Sequence, residues 1–98
     1  MDESILIERL RQNDRKAYAD LFDGYFDKLF VFALNMVFRE DVANDIVQEV
    51  FVHFWESKGR FENRVALKSF LYSCVQNGAL NYLNKLRTRD KVGKQLEL

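Results

Sequence analysis

Apolar residues recur every three to four positions along most of this 98-residue chain, a spacing that predicts helices throughout. A short helix over residues 4–11 carries Ile5, Leu6 and Leu10 and stops at Asn13-Asp14, which also offers an N-cap to the next helix. That second helix, 15–37, places Tyr18, Leu21, Phe22, Tyr25, Phe26, Leu29, Phe30, Ala33, Met36 and Val37 at steps of three and four. Residues 29–38 are apolar almost all round, so burial on more than one side is expected there. Gly24 lies inside this helix at a cost of about 1 kcal/mol against alanine, which predicts a close helix crossing at that point. Beyond the polar step Arg39-Glu40-Asp41, a third helix over 41–57 is expected to bury Val42, Ile46, Val47, Val50, Phe51, Phe54 and Trp55, with Gly59 as its C-cap. After a loop over 59–65, Asn63 suits the cap of a fourth helix, 66–87, which buries Leu67, Phe70, Leu71, Cys74, Val75, Gly78, Tyr82, Leu83 and Leu86. The charged, weakly periodic stretch 88–98 reads as a linker. The expected fold is all-α: a compact three-helix core with a short N-terminal helix.

Composition agrees. There is no proline, only four glycines, and the 48% apolar and 31% charged content argues against disorder. The net charge of zero first argues against a nucleic-acid binder, but it hides an asymmetry. Residues 1–57 carry 6 basic and 12 acidic side chains, whereas residues 58–98 carry 9 and 3, so the halves have opposite charge and suit different partners. One cysteine, Cys74, and one histidine, His53, cannot build a structural zinc site or an internal disulfide, and a lone thiol fits a reducing cytoplasm. His53 lies at the edge of an apolar stripe and is expected to be structural; Cys74 is expected to be a small buried hydrophobe. The acidic N-terminus does not resemble a secretory signal, and no run approaches the roughly 20 apolar residues that span a bilayer. Phosphate-binding, dinucleotide, nucleophile-elbow and zinc-protease motifs are all missing, and no cofactor or metal is implied.

With the core stripes removed, the third helix leaves an outer face of Asp45, Gln48, Glu49, Val52 and Glu56 without a lysine. It suits either plain solvation or a basic helix of a partner. The outer face of the fourth helix is rich in amides: Lys68, Ser69, Tyr72, Ser73, Gln76, Asn77, Leu80, Asn81, Asn84, Lys85 and Arg87. Amides can read base edges and an aromatic ring can stack on an unpaired base, while Lys58, Arg60, Arg64, Lys68, Lys85 and Arg87 are candidates to hold phosphates. A polar, solvated helix with a basic tail is the alternative. Phe61, a lone aromatic in a basic loop, is either a plug onto the body or the wall of a pocket.

The run from Asp45 to Trp55, D-I-V-Q-E-V-F-V-H-F-W, resembles region 2.2 of the extracytoplasmic-function sigma factors. Ser69-Phe70-Leu71-Tyr72, then Asn77, Ala79 and Asn81-Tyr82-Leu83, resemble their regions 2.3 and 2.4, and the stretch from Leu21 to Phe30 is similar to their first conserved helix. The resemblance implies docking on RNA polymerase core. Asp45, Gln48 and Glu49, with Val52 as apolar centre and Glu56 continuing the stripe, would meet the clamp coiled coil of the largest catalytic subunit. It further implies recognition and opening of the −10 promoter element by capture of the single-stranded non-template strand. Phe61 and Asn63 would then be pocket residues for a flipped base, with Tyr72, Gln76, Asn77, Leu80 and Asn81 along the strand. An anti-sigma factor is a further implied partner, and a protein-only interaction module held by such a regulator is the alternative function. No catalysis and no membrane insertion are implied. Ser73, Gln76 and Asn84 stand where many members carry arginine, which makes this face less basic than usual. Residues 1–87 are expected to form the region 2 domain and 88–98 the start of a linker, in a fragment of a longer protein whose C-terminal region 4 lies outside this chain.

Overall fold

The computed structural model describes the backbone of residues 3–57 and 63–97 and the side chains of 5–56, 63 and 65–89. Within them the chain forms α1 (Glu3–Arg11), α2 (Arg15–Val37), α3 (Glu40–Ser57) and α4 (Arg64–Glu97), with no strand among the described residues. The expected all-α architecture is therefore present: α2 packs on both α3 and α4, α3 packs on α4, and α1 closes one end against α2 and α4.

Local chemistry fixes the elements. Asp14 caps α2, its carboxylate accepting from the backbone N–H of Lys16 at 2.9 Å and of Ala17 at 3.4 Å. The same carboxylate binds Arg9 at 2.8 Å, and Arg9 also reaches Asp20 at 3.1 Å, so one guanidinium ties α1 to the start of α2. The buried positions of α1 are Leu6, Ile7 and Leu10; Ile5, assigned to the core from spacing, faces solvent. α2 ends on Phe38 in the left-handed conformation (φ 58°), its N–H donating to the Leu34 carbonyl at 2.8 Å. The fourth helix starts on the predicted cap: Asn63 Oδ1 accepts from Ala66 N–H at 2.9 Å.

The core is built from ridges of residues four apart. Ala17, Leu21, Tyr25, Leu29, Ala33 and Val37 on α2 face Ala43, Ile46, Val47, Val50 and Phe54 on α3 and Leu67, Leu71, Val75 and Ala79 on α4. Alanine at 17, 33, 43 and 79 lets the backbones approach. Three expectations fail here. A side-chain carbon on Gly24 would meet nothing within 4 Å, so Gly24 marks no crossing; at Gly78 it would lie 3.0 Å from Ile46 Cγ2, and the close α3–α4 approach is there. Val31 and Phe38 are exposed, Phe38 at 82%, so the apolar end of α2 is not covered all round: three helices leave its outer side open. α4 does not stop at Arg87 but runs to Glu97, because arginine, lysine, glutamine, leucine and glutamate are good helix formers and Gly93 alone does not break them. Gly59, the expected cap of α3, lies outside the described residues.

Candidate functional site

Side chains at steps of three and four along α3 share one face, and the structure brings Asp45, Gln48, Glu49, Val52 and Glu56 together around a shallow depression of about 400 Å³. His53 joins them, exposed on one side, with its ring stacked over Phe70 at 6.1 Å between ring centres. Val52, 55% exposed, is its apolar centre. Among the described residues no salt bridge neutralises the three carboxylates.

Beside this face, between α2 and α3, lies a second groove of about 390 Å³ lined by Tyr18, Ala19, Phe22, Gln48, Phe51, Val52, Trp55 and Glu56. The edge of Tyr18 meets Trp55 at 4.1 Å between ring centres, and Phe22 meets Phe51 and Phe26 at 4.9 Å each. Partial burial raises the Tyr18 hydroxyl above its ordinary pKa, so Tyr18 itself adds no charge to the groove. Trp55 and Phe22, both assigned to the core from spacing, are 45% and 39% exposed. The signal was in the sequence. Tyr18, Phe22, Phe26 and Phe30 form a second ridge one residue on from the buried one, more apolar width than two neighbouring helices can cover.

On α4, Lys68, Gln76, Asn77, Leu80, Asn81, Lys85 and Arg87 are exposed as expected. Tyr72 is only partly available: it is half-buried, its ring edge-on to Phe32 at 5.1 Å. Cys74 is half-buried rather than enclosed, and burial pushes its thiol above the usual pKa, away from the reactive thiolate. Asn63 has one amide oxygen committed to the helix cap. Lys58, Arg60 and Phe61, and the side chain of Arg64, lie outside the described residues. Asn77 and Asn81 face a cleft of about 250 Å³ shared with Ile46, Glu49, Val50 and His53 of α3, with Cys74 and Gly78 also lining it. A neighbouring cleft adds Asp45, Tyr82 and Lys85. The acidic stripe and the amide row therefore share an edge. Arg39 ties the α2–α3 turn to this edge: hydrogen bonding to Tyr82 first, then the charge of Asp41 at 2.8 Å, raises its pKa. Among the described residues no three histidine, cysteine or acidic side chains are arranged to hold a metal ion, and no helix is long and apolar enough to cross a membrane.

The family model described as sigma-70 region 2 matches residues 21–89, from the middle of α2 through most of α4. The chain belongs to the sigma-70 region 2 family. Among curated relatives, this region 2 chain is 34% identical over 83 residues to the ECF RNA polymerase sigma-E factor of Haemophilus influenzae, covering 85% of the chain and 43% of the relative. It is 31% identical to the sigma-E factor of Escherichia coli over the same shares, and 27% identical over 79 residues to the ECF sigma factor SigW of Bacillus subtilis, covering 81% of the chain and 42% of the relative. The names of these relatives agree with the resemblance drawn from the region 2 motifs. The chain spans less than half the length of each. No solved structure matches it.

Proposed function

We propose that this region 2 domain acts in bacterial transcription initiation, in the cytoplasm, docking on RNA polymerase core through α3 and holding the non-template strand of the −10 element along α4. The observation that carries the first half is the gathering of Asp45, Gln48, Glu49, Val52 and Glu56 on one open face, with no cation of the described chain against them. Such a face suits a basic helical hairpin, and the adjoining aromatic groove supplies apolar area that charge alone lacks. The second half rests on the exposed amides Gln76, Asn77 and Asn81, with Lys68, Lys85 and Arg87 toward the two ends for phosphates. Part of Tyr72 and the exposed Leu80 add apolar surface for unstacked bases. Strand separation then follows from preferential binding of the single-stranded form, without covalent chemistry by this chain.

The docking half is tested by retention of the chain on core polymerase. Gln48→Ala with Glu49→Ala is expected to weaken it at least tenfold with helicity unchanged; retention equal to the parent overturns the assignment. For the strand half, Asn77→Ala is expected to reduce the preference for the non-template single strand over duplex, and equal binding of scrambled oligonucleotides removes the specificity claim. The exposure of Trp55 and Phe22 beside the stripe also suits a regulatory protein of anti-sigma type that competes for the same face. Such a partner would be displaced by core polymerase in a competition assay.

A further inference from the structure

Each proposed surface is built largely on one helix, so they influence each other only where the helices meet. That place is the α3–α4 cleft, whose floor is the Gly78–Ile46 contact: a side-chain carbon at Gly78 would come within 3.0 Å of Ile46. Because the helices approach so closely, Glu49 opens into the same cleft as Asn77 and Asn81, and Asp45 into its continuation beside Asn81 and Lys85. Lys85 makes no salt bridge to either acid, and no other described cation does. A phosphate held over Asn77 and Asn81 therefore shares a cleft with carboxylates that no described cation pairs with, a separation on the order of the Debye length of about 10 Å at 0.1 M salt.

We infer that Asp45 and Glu49 have a second role as specificity determinants, repelling the phosphodiester backbone at the amide row so that sequence-independent binding stays weak. This rests on the proposal that α4 carries the strand. Sequence-independent affinity for nucleic acid comes almost wholly from phosphate charge, whereas base-edge contacts by amides are insensitive to it. Two negative charges set beside the amides thus subtract from binding of every sequence alike, leaving base recognition to decide which strand is kept. The same chain has Ser73, Gln76 and Asn84, neutral side chains, along that face, so nothing on those positions offsets the repulsion.

The test uses a labelled twelve-nucleotide oligo-thymidylate as a sequence-neutral probe and the 98-residue chain, with anisotropy read at 25 mM and 300 mM salt. Asp45→Asn with Glu49→Gln is expected to tighten binding about fivefold at low salt, the scale of a few through-water charge pairs near 10 Å, and less than twofold at high salt. Asp23→Asn with Asp27→Asn, the same charge change on the exposed face of α2, is expected to change it less than twofold. Equal tightening by the two pairs, no tightening, or no detectable binding by any variant overturns the inference. Adding Asn77→Ala and Asn81→Ala to the Asp45/Glu49 variant separates the premise from the inference. If those changes leave affinity unchanged, the strand does not lie on α4 and both fall. If they weaken it while the two charge pairs act alike, only the inference falls.

Discussion

Two glycines that look equivalent in the sequence should respond in opposite ways to one methyl group. Both stand in helix interiors, where alanine is favoured over glycine by about 1 kcal/mol. At Gly24 the new carbon meets nothing within 4 Å, so the full propensity gain should appear. For a domain of this size that corresponds to a rise in thermal midpoint of about 4–8 °C. At Gly78 the new carbon would sit 3.0 Å from Ile46 Cγ2, against about 3.5–4.0 Å for a relaxed carbon–carbon contact. Isoleucine is stiff at χ1 in a helix, so α3 and α4 must part by about half an ångström or Ile46 must leave its rotamer, an overpacking penalty of about 1–3 kcal/mol. Gly78→Ala is therefore expected to leave the midpoint unchanged or lower it, with the two variants separated by about 1–3 kcal/mol in urea unfolding followed by circular dichroism at 222 nm. Ile46→Leu, which removes the methyl branch at Cβ, should recover much of the loss in the Gly78→Ala background. If Gly78→Ala stabilises as much as Gly24→Ala, the close α3–α4 contact is wrong, and the shared cleft built on it goes too.

Other outcomes follow from neighbouring features. Trp55, 45% exposed at the rim of the aromatic groove, should be quenched readily by acrylamide in the free chain and protected when core polymerase is bound; unchanged quenching would place the groove outside the interface. The Asp14 carboxylate is held below its ordinary pKa, chiefly by the hydrogen bond from Arg9, so its contribution to stability is complete above the usual carboxylate value of about 3.9 and is lost as pH falls through the folded-state value. Asp14→Asn should lower the thermal midpoint at pH 6 and flatten its fall toward pH 3, and identical acid limbs for parent and variant would refute that linkage. The raised thiol pKa of Cys74 predicts modification by a thiolate-selective disulfide reagent at pH 7 well below the rate of a free cysteine, rising as pH passes 9; a rate equal to free cysteine would show the thiol is not sheltered.

Most helix ends were legible in the sequence because they are chemically marked; the far end of α4, which carries no such mark, was not. The Asn13-Asp14 pair and Asn63 read as caps in the sequence, and in the structure Asp14 and Asn63 make those bonds. Helix bounds of 15–37 and 41–57 were read within a residue of Arg15–Val37 and Glu40–Ser57. The acidic stripe was equally legible, since periodicity alone states which residues of one helix share a face. Periodicity does not state how wide a strip the neighbours will cover. Phe22 on α2 and Trp55 on α3 fit the three-and-four spacing of the core yet are exposed, because the neighbouring helices cover only part of the apolar width of each helix. The meeting of Glu49 with Asn77 and Asn81 was out of reach for the same reason: it depends on which glycine faces a partner helix, and Gly24 and Gly78 differ only in what stands opposite.

The continuity of α4 has a consequence of phase. Its 34 residues form one helix of about 51 Å, in a molecule whose longest dimension is 59 Å and whose others are 21 Å. Along such a helix each residue adds about 100° of rotation, so the directions of Arg87 and Arg89 are set by a count of residues back to Asn77 and Asn81. One alanine inserted after Leu86 would turn Arg87 and Arg89 about 100° around the helix axis relative to Asn77 and Asn81, while four would return them to within about 40° of their original directions. The helix thus works as an angular gauge: it fixes the azimuth of the basic residues against the amide row, and a change in length there acts as a change in direction.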